Sequence, residues 1–250
     1  MFTVMYHSLL IGAALFVPIP FLDDKLATFL WKHMVADLAK IHKRSLTREQ
    51  ILALSYPSRF ALSDGCMVVL TRIFRQLLQE ILFLLEWRKA INLATDAYYS
   101  GYLLNELFAY ERFDPAKAGQ YAVAMQKAKQ GINTKLVKGV FRGTFRSGKG
   151  GLASIVKWLS SITVGYMKDS WTRRRNRKKA GAVPEEQMEN FFEMHRSRFQ
   201  TLLKELIASL QTGIGELPEE HFDELRERLF EEIRKLETTS SNSLDSTGKI

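Results

Sequence analysis

The sequence predicts an all-α fold: a multi-helix bundle with an N-terminal apolar helical hairpin and a disordered C-terminal tail. Three observations predict it. Apolar residues recur three and four apart, the spacing that lines one side of a helix. No stretch alternates apolar and polar residues in steps of two, as a half-buried strand does. Helix-start signals stand before apolar runs at Thr47-Arg48-Glu49-Gln50, Asp114-Pro115, Pro184 and Pro218. At 46% hydrophobic and 25% charged, the 250-residue chain is too apolar to be disordered, and 15 Gly with 6 Pro exclude a collagen-like or low-complexity chain. The single cysteine, Cys66, excludes an intramolecular disulfide and any cysteine-based zinc or iron–sulfur site.

Residues 1–22 carry no Lys, Arg, Asp or Glu, so no signal peptide with a positive leading region is expected. A membrane span needs about 20 apolar residues, and Pro18 and Pro20 disturb the end of this run. A non-spanning helix follows, buried in the core or docked on a membrane surface. Residues 20–42 form an amphipathic helix, with Asp23 and Asp24 at the positive end of its dipole and Lys40, Lys43 and Arg44 at the negative end. Leu22, Leu26, Leu30, Met34, Leu38 and Ile41 make its stripe. Thr47 to Gln50 is a capping box that starts a short helix, ended by Tyr56-Pro57. Residues 58–110 read as two or more helices, with Cys66–Leu85 a core segment and Cys66 an inert buried thiol. Asp114 caps the next helix and Pro115 takes its first position. That helix ends near Gly131, and residues 142–151 form a flexible, glycine-rich connection. Residues 152–171 are apolar again. Pro184 and Pro218 open two acidic helices, the first stopping near Gly213 and Gly215. The Ser/Thr-rich residues 238–250 are expected to be disordered. The resulting domains are a helical core over 1–180 with a basic end, an acidic helical hairpin over 184–237, and the tail.

The net charge of +9 is unevenly spread. Residues 1–116 hold 12 basic and 11 acidic residues, 117–180 hold 16 basic and one acidic (Asp169), and 181–237 hold 7 basic and 14 acidic. Such asymmetry implies an anionic partner or attraction between the two segments, with the acidic helices after Pro184 the first to shield the basic middle.

The strongest constellation lies in that middle. The apolar residues 152–171 carry Trp158, Tyr166 and Trp171, and are followed by Arg173, Arg174, Arg175, Arg177, Lys178 and Lys179. Aromatic rings favour the membrane–water boundary, and a Lys/Arg cluster beside an apolar helix holds anionic lipid at about 1 kcal/mol per residue. Lys157 and Lys168 favour a helix lying in the interface over one that spans. The expected partner is an anionic lipid surface on the cytoplasmic face of a membrane. The same run also suits nucleic acid, although no nucleic-acid fold signature accompanies it. The acidic C-terminal helices offer a surface for a protein partner.

A second motif, Gly143-Thr144-Phe145-Arg146-Ser147-Gly148-Lys149-Gly150, has the G-x-x-x-x-G-K frame of a phosphate loop. Gly143, Gly148 and Lys149 would cradle phosphate, but Gly150 replaces the magnesium-binding hydroxyl, and a strand at Lys135–Phe141 would stand alone. The five histidines make no zinc or di-iron motif. His33 and Asp37 share a helix face and read as a neutral pair rather than metal ligands. No catalytic constellation is recognised, and no cofactor or metal is expected.

Gly12-Ala13-Ala14-Leu15-Phe16-Val17-Pro18-Ile19-Pro20-Phe21, followed by Asp23 or Asp24 and a helix ending Asp37-Leu38-Ala39-Lys40-Ile41-His42, resembles EcsC-type proteins and the helical domain attached to some Era-like GTPases. The resemblance covers residues 9–55 and implies an all-helical, membrane-associated protein without established enzymatic chemistry. The family's turn after this helix is basic or carries a glycine; this chain has His42-Lys43-Arg44-Ser45-Leu46, without the glycine. Gly12, Ala13 and Ala14 would let helices approach closely, and the Pro-Ile-Pro step would turn the chain into a helical hairpin.

Overall fold

A computed structural model describes residues 1–15, 22–55, 74–148, 197, 201 and 203–245. Every regular element among them is helical, so the protein is all-α. The elements are α1 (Phe2–Ala14), α2 (Leu22–Ile41), α3 (Arg48–Ser55), α4 (Phe74–Ala109), a 3-10 turn (Pro115–Lys117), α5 (Ala118–Gln130), α6 (Lys135–Ser147), α7 (residues 203–215) and α8 (Glu219–Asp245).

The apolar N-terminal run is a core helix. Every residue from Val4 to Ala14 is buried, as expected for a helix that is hydrophobic all round. α1 lies antiparallel to α4, with Val4 against Gly101 and Gly12 against Ala90 and Ala94. Small residues make this closeness possible: a Cβ on Gly12 would sit 2.8 Å from Ala94 Cβ and 3.0 Å from the Ala90 carbonyl. α2 covers the other side of α1 and buries Leu26, Leu30, Met34 and Leu38 from the expected stripe. Ile41 keeps the angle but not the cover. It is the last residue of α2 and is 58% exposed.

The turn after α2 has a closed hydrogen-bond pattern. Lys43 N–H donates to Lys40 O and Arg44 N–H donates to Ala39 O, with Lys43 left-handed at φ 55°. This is the six-to-one, five-to-two arrangement in which glycine is the usual residue. Thr47 and Gln50 then form the capping box: Thr47 N–H donates to Gln50 Oε1 (2.8 Å) and Gln50 N–H donates to Thr47 Oγ1 (3.3 Å). At the other cap, Asp114 accepts from Ala116 N–H (2.9 Å) with Pro115 in the first position, although the turn is 3-10 before α5 begins.

One stretch is described only in part, and another differs from expectation. Within residues 58–110, the described part is one helix of 36 residues, α4, about 54 Å long. Gly101 is its only glycine and it has no proline, so nothing stops it before Ala109. Residues 56–73, including Cys66, lie outside the described residues. Secondly, the connection expected over 142–151 is helical through Ser147. Val137, Phe141, Thr144 and Phe145 are buried, with the Phe141 ring 6.1 Å from Tyr98 and the Phe145 ring 6.0 Å from Trp87. Burying two aromatic rings outweighs the weak helix propensity of Gly139 and Gly143.

α7 runs antiparallel to α6: Leu206 closes over Gly148, Ser209 faces Thr144, and Gly213 meets Val140. α8 buries Leu225, Leu229 and Ile233 at spacings of four and packs on α5 and α4. Both helices join the same apolar cluster as α1 to α6. α8 continues past Leu236 to Asp245, through part of the stretch expected to be disordered. It contains no glycine or proline, and extending a formed helix is far easier than starting one. Residues 246–250 lie outside the described residues.

Candidate anionic-surface interface

Trp158, Tyr166, Trp171, Arg173, Arg174, Arg175, Arg177, Lys178 and Lys179 all lie outside the described residues, as does Lys149. The neighbouring basic element, α6, is described in full.

α6 carries four basic residues and no acidic one. Lys135, Lys138, Arg142 and Arg146 follow at spacings of three, four and four, which places them on one side of the helix. The adjoining side holds Val137, Phe141, Thr144 and Phe145, all buried. Lys135, Arg142 and Arg146 are exposed and Lys138 is half-buried. None of the described ion pairs includes any of the four.

Among the described residues, Gly143 and Gly148 do not form a phosphate cradle. A phosphate cradle needs backbone N–H groups converging on the anion. Here Gly143 lies inside α6 and Gly148 caps it, its N–H donating to Thr144 O at 2.9 Å. Lys135–Phe141, the only place for the preceding strand, is helical too.

The acidic helix turns part of its charge on itself. Arg226 pairs with Asp223 at 2.9 Å, Arg228 with Glu224 at 2.8 Å, and Lys235 with Glu231 and Glu232 at 2.8 Å each. The Lys235 ammonium holds both of its glutamates below the usual carboxylate range by hydrogen bonding. Among the described residues, the tie from α8 to the basic middle is Lys127 to Glu232, at 3.5 Å. Lys129 turns to α4 instead, donating to Asp96 and to Ser100 Oγ at 2.7 Å each.

Polar side chains elsewhere serve packing between helices. His7 of α1 meets Asp37 Oδ2 of α2 at 3.0 Å, while the His33 ring packs on Phe29 at 4.2 Å, so Asp37 reaches across helices to His7. No group of three or more possible metal ligands occurs among the described residues. Tyr99 Oη lies 2.8 Å from His221 Nε2, joining α4 to the first turn of α8. Burial pushes the Tyr98 and Tyr99 phenols up, Tyr102 up to about 12, and the His221 imidazole down.

Sequence reasoning missed α6 as an amphipathic helix. The signal was present in Val137, Phe141, Thr144 and Phe145 alternating with four basic residues at helical spacing, but the glycines within the G-x-x-x-x-G-K frame masked it. The geometry defines a helical bundle with one rigid basic face and no described metal cluster. Comparison of the chain with protein-family models, curated proteins and solved structures gives no match. Among the described residues, no helix is long and apolar enough to cross a membrane.

Proposed function

We propose that this protein is a non-enzymatic helical protein that binds the anionic surface of a membrane, on its cytoplasmic face. Its anchor is the apolar, aromatic residues 152–171 together with Arg173, Arg174, Arg175, Arg177, Lys178 and Lys179. The observation that carries the reading is how little of the described basic middle the acidic helix neutralises. Asp223, Glu224, Glu231 and Glu232 of α8 pair with Arg226, Arg228 and Lys235 of their own helix, and among the described residues the tie to the basic middle is Glu232 to Lys127, which leaves charge there for an external anion. The resemblance of residues 9–55 to EcsC-type proteins points in the same direction.

Vesicle flotation tests it. The protein should float with phosphatidylcholine vesicles containing phosphatidylserine and stay behind with phosphatidylcholine alone. Changing the six basic residues of 173–179 to Ser should reduce flotation, and added salt should weaken it. Equal behaviour with neutral and anionic vesicles overturns the reading.

A further inference from the structure

We propose that the outer face of α6 is a second docking surface for anionic lipid, made by Lys135, Lys138, Arg142 and Arg146. The inference rests on the membrane reading above and assigns part of the contact to a helix outside the predicted anchor.

The four residues span 11 positions of one helix, about 16 Å along a straight line. That geometry suits a plane of headgroups, each cation standing over a different lipid. The helix cannot roll to hide them, because Val137, Phe141 and Phe145 on the adjoining side are fully buried. The same outward arc holds Gly139 and Gly143, both exposed, and a Cβ on either would meet nothing within 4 Å. Glycine inside a helix is less stable than alanine, and nothing among the described residues requires glycine at these two places. Their lack of side chains lets the helix axis settle closer to a flat surface, which brings the flanking basic chains and the 37%-exposed Leu136 onto it. A basic row beside a small apolar strip is the pattern of a helix lying in a membrane interface. α6 also leads through Gly148 directly towards the basic segment, so the two surfaces are consecutive in the chain.

The test is flotation of the full chain with phosphatidylserine-containing vesicles, comparing wild type with Lys135→Gln/Lys138→Gln/Arg142→Gln/Arg146→Gln. The apparent partition coefficient should fall at least tenfold with helical content unchanged. A second variant, Gly139→Glu/Gly143→Glu, replaces poor helix formers with good ones and puts carboxylates on the face, so it should bind less while folding at least as well. Wild-type flotation that neither variant alters overturns this inference and leaves the membrane reading standing. No wild-type flotation at all overturns both. Binding of the wild type to a nonspecific duplex, lost in the glutamine variant and without any flotation, assigns the face to nucleic acid and overturns the lipid proposal.

Discussion

Lys43 holds a conformation that its side chain disfavours. Its φ of 55° places it in the left-handed region, where the Cβ of an L-residue crowds the following carbonyl. The surrounding bonds enforce it: Arg44 N–H reaches back to Ala39 O at 2.8 Å, and the Arg44 guanidinium donates to Phe108 O at 3.0 Å and Tyr110 O at 2.8 Å while lying over the Phe113 ring. His42 Nε2 adds a contact to Asn105 Oδ1 at 3.0 Å. The turn is therefore fastened to the end of α4, and Lys43 accepts the strain. Lys43→Gly should stabilise the protein by about 0.5–1 kcal/mol, the left-handed penalty less the extra backbone entropy of glycine. A higher urea midpoint with an unchanged slope is the expected result, and a lower midpoint refutes the strain argument.

Between elements, the closest approach is α1 against α4. The methyl group of Gly12→Ala would fall within 2.8 Å of Ala94 Cβ and 3.0 Å of the Ala90 carbonyl, and the carbonyl belongs to a helix backbone that cannot swing aside. The substitution should destabilise by about 1–3 kcal/mol, the usual range for overpacking. Thermal unfolding of Gly12→Ala beside Gly119→Ala separates crowding from propensity, since a Cβ on Gly119 meets nothing within 4 Å and that change should be neutral or stabilising. Gly12 was legible in the sequence because a small-residue run in an apolar helix implies close packing. Capping was legible for a similar reason: Thr47 with Gln50, and Asp114 with Ala116, are fixed by residues two or three positions apart. What the sequence could not show depends on distant partners. Asp37 bonds to His7, 30 residues away on another helix. α6 exists as a helix because Phe141 and Phe145 find Tyr98 and Trp87 on α4, a contact that local motif reading turns into a loop.

Across the whole molecule, α4 and α8 are joined by a contact whose strength depends on pH. In the tautomer that leaves Nε2 bare, neutral His221 accepts from the Tyr99 hydroxyl at 2.8 Å, with both side chains buried. Once His221 is protonated, Nε2 becomes a donor and the phenol proton must find another acceptor, in a region where Tyr98 Oη already has none among the described residues. Burial therefore lowers the His221 pKa below its ordinary 6.5, against the opposing pull of Glu224. The sign follows directly. As pH falls below 6.5 the unfolded chain takes the proton first, so the stability this group contributes is whole above 6.5 and is lost as pH falls through the lower folded value. The tyrosines act at the other end. Their raised pKa values mean that the unfolded chain ionises first, so their contribution is whole below 10.0 and lost as pH rises above it. Urea midpoints measured from pH 8 down to pH 5 should fall in the wild type, and fall less in His221→Gln, which keeps a hydrogen-bonding side chain without the titration. The difference between the two curves reports the contribution of His221. Parallel curves would show that the α4–α8 contact bears no proton-linked load.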